Sequence, residues 1–276
     1  MRGLLIYDAT GAERNDWFIE HLISTFSNKN IDLKLIVLHS DTQKIETTNI
    51  DFAIVRTIAP QLNKQLEEEN IRVFNNSKTS FVANDKWKTY LMCQKLNIST
   101  METFHHQEST SHKSFPCVVK SCNGHGGREV FWANSHDDLL KITNRLESAC
   151  KDFVVQKPCS TLGKDMRIYT LGNKIITSVL RYNSNDFRSN YSLGGKVERT
   201  TPSEYQIDVV KKIVDYLNSD YIGVDFIYNN EKWVVNEIED VVGARMLYAT
   251  TNIDIASEYC DYIEKEMLTK HQQNQR

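Results

Sequence analysis

Over residues 1–80, short apolar runs alternate with stretches whose apolar residues recur at helical spacing. Leu4–Tyr7, Leu33–Leu38, Phe52–Thr57 and Arg72–Phe74 read as strands, and Asp16–Phe26 and Pro60–Asn70 as helices between them. Such alternation predicts a small parallel α/β unit. No glycine-rich fingerprint follows the first strand, so no dinucleotide is assigned to it. Asn84-Asp85 offers a cap, and Lys86–Leu96 reads as a helix ending at Asn97. A second unit, from Ser114 to Gln156, holds an apolar strand ending in Lys120, a glycine-rich turn and the apolar Phe131-Trp132. A helix Asp137–Ala149 capped near Ser135 and a strand Phe153–Gln156 complete it. The third unit has strands Met166–Leu171 and Lys174–Arg181, a polar loop Tyr182–Lys196, a helix Ser203–Leu217, strands Tyr221–Tyr228 and Lys232–Ile238, and a helix from Ile255. The charged tail past Leu268 is expected to fray.

The last two strands flank Asn229-Asn230-Glu231 and so predict a β-hairpin. Side chains alternate between faces of a strand, which puts Glu237 and Glu239 on one side, with Asp225 able to meet them across the hairpin. Three converging carboxylates repel one another unless a hard cation sits among them. Mg²⁺ takes oxygen ligands and, when held by one or two carboxylates, commonly also holds substrate phosphates. Alone, the pattern fits a solvated acidic strand face equally well. The segment Lys120-Ser121-Cys122-Asn123-Gly124-His125-Gly126-Gly127 shifts the balance. Its glycines let backbone N–H groups approach phosphate oxygens, and Lys120 supplies a cation beside them. The spacing is not that of a P-loop, and the segment does not open a helix. A glycine turn alone is only a turn. After a strand lysine and ahead of an acidic hairpin, it points to a nucleotide.

Composition narrows the classes. A net charge of −3 argues against a sequence-independent nucleic-acid binder. No apolar run approaches the ~18–20 residues that span a bilayer. The amino end opens on a strand-like run rather than a signal peptide, and six scattered cysteines without a C-x-x-C pair fit a reducing cytoplasm. Cys122, beside the glycines, is either a reactive thiol or a small core residue. Arg56 either meets an acceptor substrate or faces solvent. His105, His106 and His112 lie in a polar connector without a zinc-site pattern, and Met246–Tyr248 reads as core.

The ordered motifs resemble the ATP-grasp superfamily, and within it the RimK-like ligases of the ribosomal-protein S6 glutamate ligase type. They are Asn84-Asp85-Lys86, Pro116-Cys117-Val118-Val119-Lys120, Gly124-His125-Gly126-Gly127, Val155-Gln156-Lys157, Gly163-Lys164-Asp165-Met166-Arg167, Arg181, Phe187-Arg188-Ser189-Asn190 with Gly194-Gly195, Gly223-Val224-Asp225 and Glu237-Ile238-Glu239. The resemblance covers nearly the whole chain. It implies an α/β and α+β fold: an N-terminal Rossmann-like domain over residues 1–83, then a two-lobed ATP-grasp domain over 84–276, with lobes 114–156 and 157–270. It implies ATP and Mg²⁺, with Mn²⁺ as a substitute. Lys86 and Lys120 then reach phosphates, and Lys120 also lies near adenine. Gly124, Gly126 and Gly127 form a lid, Gln156 and Lys157 meet the adenine edge, and Asp165 lies near the ribose. Asp225, Glu237 and Glu239 hold metal. Arg181, Arg188 and Asn190 lie beside the transferred phosphate and the substrate carboxylate, as catalytic residues, and Arg245 and Arg167 serve the substrate.

The implied reaction activates a carboxylate as an acylphosphate, which an amine attacks. The partners are small-molecule or peptide carboxylates and amines, with no nucleic acid and no membrane, in the cytoplasm; a homo-oligomer stays open. Three departures stand out. Glu239 replaces the asparagine of the family's E-x-N, Lys157-Pro158 replaces a hinge glutamate, and Val241–Arg245 replaces an S-P-G turn. The alternatives are an ATP-binding regulatory or scaffolding module without ligase activity, and phosphotransfer to a non-carboxylate acceptor. Loss of any one acidic ligand is expected to relieve repulsion and leave the fold intact.

Overall fold

The apolar runs at the amino end assemble into a parallel four-stranded sheet. The computed structural model describes residues 1–40, 43–107, 114–189 and 194–274. Strands β1 (Arg2–Asp8), β2 (Asp32–Leu38), β3 (Phe52–Val55) and β4 (Arg72–Phe74) lie in the order β2-β1-β3-β4. Alternation along β1 buries both faces. Leu5 and Tyr7 meet Phe18, Ile19, Leu22 and Phe26 of helix α2 (Asp16–Ser27), which follows the short α1 (Ala9–Arg14). Leu4 and Ile6 share a second core with Leu66 of α3 (Pro60–Glu68).

Helices α4 (Ser77–Ala83) and α5 (Lys86–Lys95) lead into a four-stranded antiparallel sheet. It contains β5 (Thr103–His105), β6 (Cys117–Ser121), β7 (Val130–Ala133) and β8 (Phe153–Gln156), in the order β5-β8-β6-β7. Helix α6 (His136–Ser148) covers it, with Leu139 and Leu146 against Val119, Phe153 and Val155.

The third sheet is antiparallel, in the order β11-β10-β9-β12-β13. Its strands are β9 (Lys164–Leu171), β10 (Lys174–Tyr182), β11 (Lys196–Thr200), β12 (Tyr221–Asn229) and β13 (Lys232–Glu239). On one face Met166, Ile168, Ile222, Val224 and Phe226 pack on α5 and α7 (Glu204–Leu217). On the other, Tyr169, Leu171, Val179 and Tyr221 share the α2 core with α8 (Arg245–Thr250) and the buried stripe Ala256, Tyr259, Cys260, Ile263, Met267 of α9 (Ile255–Asn274). Thus α9 joins the first and third sheets through one apolar core. It also runs on to Asn274 where fraying past Leu268 was expected.

Caps account for the helix starts that the sequence marks. Asp85 accepts from the Trp87 and Lys88 amides, and Ser203 and Gln206 form a capping box. Short α1, α4, α8, β5 and β11 carry too few periodic residues to be read in advance. No helix among the described residues is long and apolar enough to cross a membrane.

Candidate active site

The two-residue period that buries Tyr169 and Tyr221 on one face of the third sheet puts Asp165, Arg167 and Asp225 further along that same face. Ladder pairing brings them side by side. Asp225 lies opposite Arg167 on β9 and opposite Glu237 on β13, and Arg181 lies opposite Asp165. The register of the acidic hairpin slips between Asp225 and Phe226, so Asn236 is an extra residue in β13. Such a bulge re-aims a side chain. Here the Asn236 amide oxygen accepts from Lys120 Nζ, 2.8 Å away on β6 of the second sheet.

A cleft opens between the second and third sheets. Lys86, Lys120, Gly124, Gly127, Gln156 and Glu237 are among its lining residues, with Lys157, Asp165 and Arg188. Lys86 Nζ donates to Gly124 O at 2.7 Å and sits 3.1 Å from Glu237 Oε2. Arg188 donates to Gly127 O at 2.8 Å and pairs with Asp186. The glycine turn is therefore held by two cations through its carbonyls. Gly126 and Gly127 both take positive φ, where other residues are strained. Gln156 is buried and donates to Thr103 Oγ1, while Lys157 is exposed.

Asp225, Glu237 and Glu239 bring one oxygen each within 4.8 Å of one another. Their mutual repulsion is answered by protein cations. Arg167 donates Nε and Nη2 to the two oxygens of Asp225, both at 2.7 Å, and Nη2 to Glu239 Oε1 at 2.5 Å. Arg181 pairs with both oxygens of Asp165 and reaches Asp225 Oδ2 at 2.6 Å. Burial works to raise the Asp225 pKa, but Arg167 and Arg181 outweigh it and hold the carboxyl down at about 2. Burial likewise opposes ionisation of Glu237, and Lys86 and Lys120 prevail, keeping its pKa below the usual value. For Glu239, burial and the neighbouring Asp225 and Glu237 charges exceed the pull of Arg167, and its pKa rises. Burial lowers Lys120 to about 8, against the attraction of Glu237.

This donor set fits a hard divalent cation, with unequal members. The Glu237 and Glu239 side chains are 20 % and 24 % exposed, and each keeps one oxygen clear of the ion pairs above. Asp225 is wholly buried and largely engaged by the two arginines.

Several sequence expectations change. Arg167 is not turned to a substrate; it is buried against Asp225 and Glu239 because ladder pairing sets it opposite the acidic strand. Arg245 is exposed at the start of α8 and is not among the residues lining the cleft. Cys122 is buried, and desolvation pushes its thiol up to about 12, which removes it as a nucleophile. Arg56 neither faces solvent nor lines the cleft. It is buried between the Phe18 and Tyr221 rings and donates to Val242 O at 2.7 Å. Asn190 lies outside the described residues. Asn236 was missed. Its only signal was its place one residue before Glu237, and alternation alone would turn it away from the carboxylates.

Residues 83–263 match the RimK-like ATP-grasp domain. The chain belongs to the RimK-like ATP-grasp family. It is 30% identical over 253 residues to protein MG011 of Mycoplasma genitalium, covering 89% of this chain and 86% of that one. It is 28% identical over 198 residues to a Haemophilus influenzae protein named a probable alpha-L-glutamate ligase, covering 69% of this chain and 66% of the relative. Among solved structures, the ATP complex of D-alanine–D-alanine ligase from Bacillus anthracis superposes with a TM-score of 0.78 at 16% identity, over 99% of both chains. At that identity the likeness speaks to the fold.

Proposed function

We propose that the protein joins a carboxylate to an amine, using ATP and Mg²⁺, by way of an acylphosphate, and releases ADP and phosphate. The observation that carries this reading is the meeting of the acidic triad with Lys86, Lys120 and the glycine turn at one cleft. In this reading residues 84–276 clasp the nucleotide. Lys86 and Lys120 exchange protein partners for phosphate oxygens, and the turn of Gly124, Gly126 and Gly127 closes over them. Gln156 and Lys157 border the adenine, and Asp165 the ribose. Glu237 and Glu239, completed by Asp225, hold the cation, which when bound neutralises phosphate charge and aligns the transferred group. Arg181 holds Asp165 and Asp225 in place. Arg188, with Asn190, meets the carboxylate through its planar fork on giving up Asp186 and Gly127 O. No side chain is needed as a nucleophile; the chain orients its substrates and offsets charge.

The name of the Haemophilus influenzae relative favours an amino acid, glutamate in type, as one partner. A reducing cytoplasm suits the free cysteines. The test is ADP release over a panel of amino acids and dipeptides, with hydroxylamine in place of the amine. A hydroxamate formed only with ATP, Mg²⁺ and one class of acid is expected. ATP binding with no acid-dependent ADP and no hydroxamate across the panel defeats the ligase chemistry.

A further inference from the structure

We propose that Asn75 is a positioning residue for the cation site, holding both roots of the acidic hairpin from the edge of the first sheet. The proposal rests on the Mg-nucleotide reading above and adds a residue that no motif marks.

Asn75 directly follows β4 and is 3 % exposed. Its single amide reaches both ends of the hairpin. Oδ1 accepts from the Asp220 and Tyr221 amides at 2.6 and 2.9 Å, where the chain enters β12. Nδ2 donates to Tyr221 O and Asp240 Oδ1, both at 2.8 Å, and to Asp240 O at 3.2 Å, where the chain leaves β13. A lesser clamp lies beside it: Asn84 Nδ2 reaches Asp240 Oδ2 at 3.3 Å.

The ladder explains why this matters to the cation site. Pairing between β12 and β13 ends at Gly223 with Glu239. Tyr221 and Ile222 pair with β9 instead. Asp240 is thus the first residue beyond the ladder, and Asn75 holds its main chain. Glu239 is the last paired residue before that point. Were Asp240 released, Glu239 would keep its pairing with Gly223 and its Oε1 contact with Arg167, but would become the last fixed residue of the strand. Mg²⁺ demands near-ideal octahedral geometry, so small shifts of a ligand are felt. Partners that orient metal ligands typically contribute about 10–100-fold to affinity.

The alternative is that Asn75 merely fastens one sheet to another. The two separate by measuring Mn²⁺ binding by electron paramagnetic resonance, with a non-hydrolysable ATP analogue present, well below the melting temperature. Asn75→Ala is expected to lower Mn²⁺ affinity by about tenfold or more, while binding of the analogue in EDTA stays as in the unsubstituted protein. Asn75→Asp, which cannot donate to Asp240, should behave like Asn75→Ala. Asp240→Asn, whose amide oxygen can still accept from Asn75, should keep most of the Mn²⁺ affinity. A folded Asn75→Ala protein with a lowered melting temperature and unchanged Mn²⁺ affinity overturns the proposal. If Asn75→Ala does not fold, Asn84→Ala loosens Asp240 while leaving Asn75 in place, at the further cost of a long contact to Ser80 O. It should show a smaller loss of Mn²⁺ affinity, and unchanged affinity there overturns the proposal as well. Failure of the unsubstituted protein to bind Mn²⁺ beside the analogue would instead defeat the Mg-nucleotide reading, and the positioning role with it.

Discussion

Lys120 and Asp225 show how strongly one environment can act on two opposite charges. Burial costs Lys120 part of its hold on its proton, bringing its pKa to about 8. Its charge is therefore present below about pH 8 and is lost as pH rises through that value. Nucleotide affinity, measured by calorimetry in the absence of metal, should fall as pH rises above about 8. Lys120→Arg, which stays charged, should flatten that dependence, and a steep fall persisting in Lys120→Arg would assign it to another group. Asp225 lies at the opposite extreme, ionised and gripped by Arg167 and Arg181. The expectation that any acidic ligand could be lost without harm to the fold therefore does not carry over to it. Asp225→Asn leaves two buried guanidiniums short of charge and is expected to cost about 3–5 kcal/mol of stability. Glu239→Asn leaves Arg167 still paired to Asp225, so a loss under about 1 kcal/mol is expected. Denaturant unfolding of the two proteins checks the ordering; equal losses would mean the arginines do not depend on Asp225.

Among the elements, turns decide where these side chains stand. Gly163 precedes β9 with φ +64°, its amide donates to Phe187 O at 2.9 Å, and its carbonyl accepts from the Asn183 amide at 2.8 Å. A Cβ there would lie 2.2 Å from Asn183 O and 2.7 Å from Asp186 O. Gly163→Ala should therefore cost about 1–3 kcal/mol and disturb the segment carrying Asp186, Phe187 and Arg188. Weaker nucleotide binding should accompany the lower melting temperature; loss of stability with normal binding would detach this turn from the site. Long elements were legible because their periods and caps are local. Helix α2, strands β4 and β8 and the acidic hairpin stand within a residue or two of where apolar spacing put them. The convergence of Asp225, Glu237 and Glu239 was legible too, since alternation and a hairpin turn suffice for it. The arginine partners of the acids were not, because pairing of β9 with β12 joins residues 58 positions apart. Nor was the bulge at Asn236, which breaks the alternation from which a reader of sequence must reason. Asn75 had no signal at all. A lone asparagine after a short strand becomes meaningful only when the hairpin roots arrive beside it.

At the scale of the molecule, the three sheets are not equally bound to one another. The first and third share a continuous apolar core, with α2 on one side, α9 between, and Tyr169, Val179 and Tyr221 on the other. The second sheet has its own core of Cys117, Val119, Leu139, Phe153 and Val155 under α6. Across the cleft it meets the rest through the Lys120–Asn236 and Arg188–Gly127 hydrogen bonds and the edge contact of Trp132 with Phe187. Lys86 adds a bridge, joining the glycine turn to Glu237 from the start of α5. Helix α5 adds the Lys86 amide bond to Cys122 O at 3.0 Å and the packing of the Trp87 ring on His105, so the contacts that face the cleft are polar while those at α5 are packed. With its own core, the second sheet is expected to be the part whose setting a nucleotide changes, and the first and third, sharing one, to stay together. Amide exchange should report this division. Mg-ATP is expected to slow exchange most between Lys120 and Val130, where the turn gains phosphate partners, and to leave the buried amides of α2 and α9 unchanged. The opposite pattern, protection centred on α9 with none in the turn, would place the nucleotide-sensitive joint between the first and third sheets, contrary to the core that unites them.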